Sequence, residues 1–309
     1  MGQLIGFNGK SLKKNKAELK EADIISLLPY LRNLKGEIIV VNITKKVIDN
    51  DELLKKLLRE IVTIKCMGAV VIIVPDGDFQ INNFCEEIFD KRNYLDNFNY
   101  VNTQNQVDIL DVFFKREVVD KISNILKSFN AMSIGVSGHS LDIILPDDVV
   151  NPNTSLFDKQ NKKMYNGMSE KTGKKYSIDM LEELIKTDII PIVYSTFKTR
   201  NGNIYAMESS LFGAYIATYL SSLKYVEVYT DEQNIPTSCM YGVEKFVKIV
   251  KTGNFSKNQL RIINSGLEAV KNGIQGTHIL DMKYVSLLEE FCGKSFSGLF
   301  LYDDTLNQI

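Results

Sequence analysis

Hydrophobic positions along the chain follow two patterns. Short runs rich in β-branched residues predict strands, and longer segments with apolar residues three or four positions apart predict helices between them. The predicted strands are residues 38–43, 69–74, 133–136, 189–194, 225–230, 277–280 and 299–302. Several of these runs are apolar throughout, which predicts strands buried on both faces. Strands that alternate with helices indicate an α/β fold, an open and mainly parallel sheet sandwiched by helices.

Amphipathic segments predict the helices. They are residues 51–65, 107–126, 178–186, 211–223 and 257–272. The last of these has recognisable ends, because Ser256 is a typical N-cap and Gly273 is a typical left-handed terminator. Residues 18–35 predict a further amphipathic helix, interrupted near Pro29. Residues 146–177 are rich in Pro, Asn, Lys, Gly and Ser, which is typical of a lobe boundary or a long surface excursion.

The length, net charge and cysteine content of the chain limit the classes of function that it can have. The chain of 309 residues fits one large domain or two lobes, and its net charge of −1 disfavours nucleic-acid binding. No apolar run reaches the ~20 residues of a membrane span. The four cysteines are scattered and the histidines are His139 and His278, so a structural zinc site is disfavoured. Sparse cysteines and the lack of an N-terminal secretory pattern favour a cytoplasmic location.

Two short motifs resemble catalytic signatures, but each lacks a required feature. Gly9-Lys10-Ser11 ends like a phosphate-binding P-loop, but Leu4 stands where the pattern needs glycine and no strand precedes it. Residues 135–139 follow a strand as a nucleophile elbow does, but His139 stands where that motif needs glycine. We therefore expect no P-loop in the first segment and a tight strand-end turn in the second.

Candidate ligand residues follow the predicted strands, because parallel sheets bind ligands at the carboxyl ends of their strands. Asp76 and Asp78 follow the second strand and fit a Mg²⁺ site, although this segment is also typical of an ordinary turn. Thr230 and Asp231 follow the fifth strand and are candidates for ligand contact or for a turn. Lys45 follows the first strand and is a candidate for anion binding or for solvated surface.

Taken in order, many segments resemble the amino-acid kinase family, and within it most closely the acetylglutamate kinases. The resemblance covers about residues 22–304. It depends on residues 27–32, Gly36, 38–43, 71–74, Gly77, Gln80, Ile81, 134–138, 189–193, Tyr205, 213–217, Thr230-Asp231, 266–270 and 278–281. It implies an N-terminal lobe for the amino-acid substrate, residues 1–176 including the helix at 18–35. It also implies a C-terminal lobe for the nucleotide, residues 177–309.

The resemblance implies transfer of the ATP γ-phosphoryl group to a carboxylate, with ATP and Mg²⁺ as cofactors. Such chemistry depends on positioning and charge neutralisation, so it needs lysines, glycines and an aspartate that organises the lysines. Here most of these positions are substituted. The family's Lys-Tyr-Gly-Gly motif falls on residues 42–45, so Asn42 stands for the lysine, and Ser210 stands for the organising aspartate.

The resemblance also assigns candidate roles. The substrate side of the cleft is expected to contain Asp76, Gly77, Asp78, Tyr100, Ala206 and Ser210. The nucleotide side is expected to contain Thr230 and Asp231, and the candidate catalytic cations are Lys45, Lys257 and Arg261. Tyr100 falls near the position of the family's carboxylate-binding arginine, and the two aspartates would face the transferring phosphate.

Two main functional hypotheses follow. The first is a non-catalytic homologue that binds a small molecule in the inter-lobe cleft or regulates an active kinase. The second is an active ATP-dependent kinase, as in arginine biosynthesis, that phosphorylates the carboxylate of an (acyl)amino acid through a rebuilt site. The resemblance further implies a homo-oligomer, dimer or hexamer, or a hetero-oligomer with an active kinase. No nucleic-acid or membrane partner is expected, and an unrelated α/β binding protein or another enzyme is a third possibility.

Overall fold

A single eight-stranded sheet forms the centre of the protein. The computed structural model describes residues 34–77, 104–145, 178–199, 202–220, 224–230, 235–292 and 297–304. The strands in these residues are β1 (Ile38–Ile43), β2 (Val70–Pro75), β3 (Ser133–Ser137), β4 (Ile190–Tyr194), β5 (Thr196–Lys198), β6 (Ile204–Ala206), β7 (Lys224–Tyr229), β8 (Cys239–Gly242), β9 (Gly276–Asp281) and β10 (Leu299–Tyr302). The sheet has the order β3-β4-β2-β1-β7-β9-β10-β8, and β5 pairs with β6 in a separate hairpin.

Neighbouring strands of the sheet are parallel, except that β10 is antiparallel to β9. The helices of the described residues are α1 (Lys45–Asp49), α2 (Asp51–Cys66), α3 (Gln104–Phe113), α4 (Asp120–Ser128), α5 (Asp179–Ile185), α6 (Ser209–Tyr219), α7 (Val243–Thr252), α8 (Lys257–Lys271) and α9 (Leu287–Cys292). A π-helical segment, Phe114–Val119, joins α3 to α4. Among these elements, none is both long enough and apolar enough for a membrane crossing.

Side chains of the central strands alternate between two apolar cores. On β1, Ile39, Val41 and Ile43 belong to the core beneath α2, whereas Val40 belongs to the core on the opposite face. The same alternation holds on β2. Because successive residues of a strand point to opposite faces, a continuous apolar run is what a sheet covered on both sides requires. The fold class inferred from the sequence is therefore confirmed.

All seven predicted strands are present, with ends that differ by one residue at most. The helix predicted at 107–126 extends from Gln104 to Ser128 and contains the π-helical segment, which periodicity did not indicate. Four further elements were not predicted because they are short: α1, β5, β6 and β8. The amphipathic helix α7 and the short α9 were also not predicted. Residues 18–33 and 146–177 lie outside the described residues, so the N-terminal helix and the lobe boundary stay predictions.

Strand register brings the segments that follow β1, β2 and β7 to one edge of the sheet. Ile43 pairs with Pro75 on one side and with Val228 on the other. The amide of Asp76 donates to the Ile43 carbonyl over 2.9 Å, and the amide of Thr44 donates to the Val228 carbonyl over 3.0 Å. The residues after these three strands therefore lie side by side, as the parallel arrangement predicts.

Helix α8 approaches this edge with its N-terminus. The predicted cap is confirmed, because the Ser256 hydroxyl accepts from the Gln259 amide over 3.2 Å and the Gln259 side chain accepts from the Ser256 amide over 2.7 Å. This reciprocal pair satisfies two amides that would otherwise lack a partner in the helix. The helix ends before Gly273, whose φ of +101° is accessible to glycine without strain.

Candidate functional site

A cleft of about 880 Å³ opens where β1, β2 and β7 end. The buried residues Thr44, Asp76 and Thr230 form its floor, and the start of α6 and the N-terminal half of α8 also line it. The lining includes the four cations Lys45, Lys46, Lys257 and Arg261. It also includes the three anions Asp49, Asp76 and Glu208, so the cleft carries a small positive excess.

Arg261 of α8 joins two carboxylates that belong to different elements. Its Nη2 lies 2.7 Å from Asp76 Oδ2, just after β2, and its Nε lies 3.0 Å from Glu208 Oε1, just before α6. Asp76 is 2% exposed, so this is a buried ion pair on the carboxylate side. Removing one partner of such a pair leaves an uncompensated charge and costs about 3–5 kcal/mol. Arg261 therefore reaches inward, which was one of the alternatives that the sequence left open.

The lysines have different surroundings. Lys45 pairs with Asp49 one turn later in α1, and its side chain is largely buried. Lys257 is exposed, is the first residue of α8 and lines the mouth of the cleft. The positive end of the helix dipole adds to its charge at this point. The side of the cleft near α8 is therefore the part best suited to a negatively charged ligand.

Two buried hydroxyl groups on the cleft floor have no hydrogen-bond partner among the described residues. They are Oγ1 of Thr44 and Oγ1 of Thr230. The side-chain oxygen of Asn264, which also lines the cleft, has none either in that part of the chain. Buried polar atoms without partners cost free energy, so they suit a ligand that supplies the missing hydrogen bonds.

A buried hydrogen-bond network lies behind the cleft and is centred on Glu227 of β7. The Glu227 carboxylate accepts from Asn42 Nδ2 over 2.8 Å and from Ser265 Oγ over 2.8 Å, and it also accepts from the Tyr225 hydroxyl. Asn42 Nδ2 donates to Ser210 Oγ as well, over 3.1 Å. Burial raises the pKa of Glu227 to about 7, and hydrogen bonds to its ionised form limit the rise.

Glu227 was not identified from the sequence as a candidate site residue. A detectable signal was present, because a glutamate interrupts the apolar run of the strand at 225–230 and a charged group inside a buried strand requires partners. The partners themselves are 185 and 38 residues away in the chain, at Asn42 and Ser265. No local pattern identifies residues so far apart in sequence.

Aromatic rings fill the space beside Gly77. A Cβ atom at Gly77 would lie 2.6 Å from Phe114 Cε1 and 3.0 Å from Phe113 Cε1. The Phe114 ring also stacks on Tyr194 with 4.8 Å between centroids and 10° between planes. Phe114 is the first residue of the π-helical segment, and such segments are frequent at functional sites. Because Gly77 has no side chain, the ring of Phe114 can lie in close contact with the backbone at this position.

Residues 135–139, which follow a strand as a nucleophile elbow does, do not form a hydrolase triad. Ser137 Oγ lies 3.4 Å from His139 Nε2, and Asp111 Oδ2 lies 3.5 Å from the same nitrogen. His139 Nδ1 contacts Thr196 Oγ1 at 3.0 Å. A triad needs the serine and the carboxylate on opposite ring nitrogens. The segment is a buried strand-end turn, as predicted, in which burial lowers the pKa of His139 and raises that of Asp111.

The structure gathers some of the predicted site residues and separates others. Lys45, Asp76, Thr230, Lys257 and Arg261 line the cleft. Gly77 lies against the aromatic rings, and Ala206 and Ser210 are buried. Asp78, Tyr100 and Asp231 lie outside the described residues. Within the described ranges no group of three metal-binding side chains is present, and the roles assigned to all these residues stay predictions.

Similarity to known proteins is low in identity and extends along most of the chain. No protein-family model matches. The acetylglutamate kinase of Acinetobacter baumannii is 24% identical over 282 residues, which is 87% of this chain and 90% of the relative. The acetylglutamate kinase of Ruthia magnifica is 23% identical over 281 residues, 88% of this chain and 92% of the relative.

Solved structures agree on the fold. N-acetylglutamate synthase from Neisseria gonorrhoeae, complexed with coenzyme A and N-acetyl-glutamate, aligns with a TM-score of 0.65 and 13% identity. That alignment covers 92% of this chain but 63% of the synthase. Carbamate kinase from Giardia aligns with a TM-score of 0.59 and 11% identity over 87% of this chain and 99% of its own. The chain is thus similar in sequence to acetylglutamate kinases along most of its length, and it has the amino-acid kinase fold.

Proposed function

We propose that this protein binds one small anionic molecule in the cleft and does not transfer a phosphoryl group. The observation that carries the proposal is the hydrogen bond between Asn42 and Ser210. By resemblance these positions hold a lysine and the aspartate that organises the lysines. Both charges are missing here, and the two neutral side chains bond to each other over 3.1 Å.

The loss of that cation bears directly on catalysis. Two unit charges about 4 Å apart interact by about 4 kcal/mol at an effective dielectric constant near 20. One lysine at the transferring phosphate therefore contributes a large factor in rate, because phosphoryl transfer depends on charge neutralisation. By resemblance Asn42 stands at the position of that lysine, and in this chain it is hydrogen-bonded to Glu227, a carboxyl group rather than a cation.

The aromatic rings near Gly77 give independent support. By resemblance Gly77 belongs to the substrate loop, where glycine lets a ligand approach the backbone. Here Phe113 and Phe114 take up the space beside that backbone. An acceptor carboxylate would have to displace them, and the stacking of Phe114 on Tyr194 opposes this.

An anionic ligand fits the remaining open part of the cleft. Lys257 and the N-terminus of α8 supply positive potential, and the hydroxyls of Thr44 and Thr230 lie on the floor without partners among the described residues. Phosphate-bearing molecules such as nucleotides belong to the class that these groups recognise. Bound there, the ligand would be held by the lysine, by helix amides and by the two hydroxyls.

The alternative is an active ATP-dependent kinase of arginine biosynthesis with a rebuilt site. The observation in its favour is that Lys45, Lys257 and Arg261 all line the cleft. In this alternative Asp76 and Asp78 would hold Mg²⁺, which neutralises phosphate charge. Among those residues, Asp76 is already paired with Arg261, which favours the binding protein over the enzyme.

Two assays on the purified full chain test the proposal. We expect calorimetry to detect saturable ATP binding that weakens in a Lys257→Ala variant and is unchanged in Lys251→Ala, an exposed lysine of α7. A coupled assay with ATP, Mg²⁺ and N-acetylglutamate or other acylamino acids should give no turnover. Turnover that copurifies with the protein and is lost in Lys257→Ala would establish the kinase instead.

Assembly is proposed from the same resemblance. We expect a dimer or a hexamer, or a mixed oligomer with an active kinase that this protein regulates. Light scattering during size-exclusion chromatography gives the mass of the assembly formed by this chain alone. Mixing with an active acetylglutamate kinase, followed by the same measurement and a rate assay, tests the regulatory role.

A further inference from the structure

Arg261 occupies a position between two carboxylates that otherwise suits a divalent cation. Asp76 Oδ2 lies 2.7 Å from Nη2, and Glu208 Oε1 lies 3.0 Å from Nε. Asp76 directly follows β2 and Glu208 directly precedes α6, so the guanidinium links both of these segments to α8. A Mg²⁺ ion in a protein is commonly held by one or two carboxylates plus water and substrate phosphates. The two acidic groups meet that description, but an arginine already lies between them.

We infer that Arg261 is the resident cation of this cleft, so that the cleft binds its anion without a divalent metal ion. This inference rests on the proposed function for the identity of the cleft. It concerns how the charge of the ligand is balanced, which the proposed function leaves open. Mg²⁺ does not fit at Asp76 while the guanidinium is there, because the two cations would compete for the same carboxylate oxygen.

Helix α8 and the buried carboxylate of Glu227 define the surroundings of the guanidinium. The capping box at Ser256 and Gln259 fixes the first turn of α8, and Arg261 comes directly after that turn. One turn further along the helix, Ser265 donates to the buried carboxylate of Glu227 over 2.8 Å. Arg261 also acts on Glu227 electrostatically, since its charge lowers the pKa of that group against the larger effect of burial. The arginine therefore balances negative charge from three different elements.

The same side chain is open to the cleft. Arg261 lines the cavity, and 24% of its side-chain surface is exposed, whereas the side chain of Asp76 is 2% exposed. A guanidinium is always charged and presents five donors in a planar fork, so one group can pair with protein carboxylates and also face an anion. Lys257 lies one helical turn before it at the mouth of the cleft. Together they suit an oligoanion such as a polyphosphate or polycarboxylate that is not complexed with metal.

Titration with Mn²⁺, followed by the loss of the free-ion paramagnetic resonance signal, tests the inference on the full chain. We expect the wild-type protein to show no binding below millimolar Mn²⁺. In Arg261→Gln the two carboxylates lose their cation, and we expect Mn²⁺ affinity to rise about tenfold or more. Adding Glu208→Gln to that variant should abolish the gain. Arg261→Lys keeps a positive charge and should behave as the wild type does.

Each outcome decides the question. Wild-type binding of Mn²⁺ that is lost in Asp76→Asn and in Asp78→Ala would overturn the inference in favour of a metal site at those two aspartates. An Arg261→Gln protein that is folded by circular dichroism but gains no Mn²⁺ affinity would also overturn it. If Arg261→Gln does not fold, the wild-type and Arg261→Lys titrations decide, because metal binding to either one contradicts a resident arginine cation.

Calorimetry with tripolyphosphate separates this inference from the proposed function. We expect binding in EDTA that becomes weaker when Mg²⁺ is added, because the metal complex carries less negative charge. Binding that requires Mg²⁺ would overturn the inference and leave the proposed ligand class intact. No binding of tripolyphosphate or ATP under either condition would overturn the proposed function, and the Mn²⁺ titrations would still decide the role of Arg261.

Discussion

Asn42 of β1 donates its side-chain amide to the hydroxyl of Ser210 in the first turn of α6, over 3.1 Å, although 168 residues separate them in the chain. Both side chains are fully buried. The same amide nitrogen also donates to Glu227, so the two residues complete the network behind the cleft. A charge pair implied by the resemblance is thus replaced by a neutral pair in mutual contact.

The contact between Asn42 and Ser210 should be measurable as coupling between two substitutions. We expect Asn42→Leu to destabilise the protein by about 1–3 kcal/mol, because Glu227 loses a donor while it stays buried. Ser210→Ala should cost less. The double variant should differ from the sum of the two by about 0.5 kcal/mol or more, as contacting residues do. Urea denaturation of the four proteins gives the coupling, and strict additivity would contradict the contact.

Glu227 should make stability depend on pH. Its pKa rises from 4.5 to about 7 on folding, so the folded state binds the proton more tightly than the unfolded state. The stabilising effect is complete below pH 4.5 and is lost as the pH rises through 7. The difference corresponds to a change on the order of 3 kcal/mol. Glu227→Gln should flatten this part of the pH profile.

Urea denaturation at several pH values between 5 and 8 measures the effect for the wild type, for Glu227→Gln and for Glu52→Gln. Glu52 is an exposed residue in the first turn of α2, so its variant should keep the slope of the wild type. Identical slopes in all three proteins would show that Glu227 does not titrate in this range.

The close contact at Gly77 should make that position intolerant of alanine. A Cβ there would lie 2.6 Å from the Phe114 ring, closer than non-bonded carbon atoms approach. We expect Gly77→Ala to cost about 1–3 kcal/mol through overpacking. Phe114→Leu should rescue part of that loss in the double variant. Thermal unfolding of the three variants checks this, and a Gly77→Ala protein as stable as the wild type would refute the aromatic packing.

Two aspartates in ion pairs should respond very differently to removal of their charge. Asp76→Asn leaves Arg261 without one partner in a partly buried site, and we expect a loss of about 3–5 kcal/mol. Asp188 pairs with Lys65 over 2.6 Å, but its side chain is 86% exposed, so Asp188→Asn should cause no measurable change. Denaturant midpoints of the two variants give the comparison. Equal effects would mean that the Asp76 pair is screened by solvent.

Much of the fold could be predicted because it depends on local pattern. A parallel strand covered on both faces must be apolar at successive positions, and β1 and β2 have that pattern in the sequence itself. The N-cap at Ser256 and the terminator at Gly273 could be predicted for the same reason, since each acts within one helical turn. The edge of the sheet that holds the cleft followed from strand direction alone.

The candidate site could be predicted only in part. Lys45, Asp76 and Arg261 were identified as candidates, and they line the cleft. Their pairings were not predicted, because Asp76 and Arg261 are 185 residues apart and nothing in either local segment specifies the other. The ring of Phe114 against Gly77 depends on a π-helical turn that hydrophobic periodicity does not encode.

The sequence by itself therefore determined the α/β class, the strand positions, the helix caps and the edge of the sheet at which polar residues collect. Periodicity and capping are local properties of the chain, and short-range physics is sufficient to predict them. The tertiary structure alone decided that Arg261 lies between Asp76 and Glu208, and that Glu227 is buried among Asn42, Ser265 and Tyr225. Those contacts join residues that are brought together only when the sheet and its helices pack, and the energy of a charge depends on which neighbours that packing supplies.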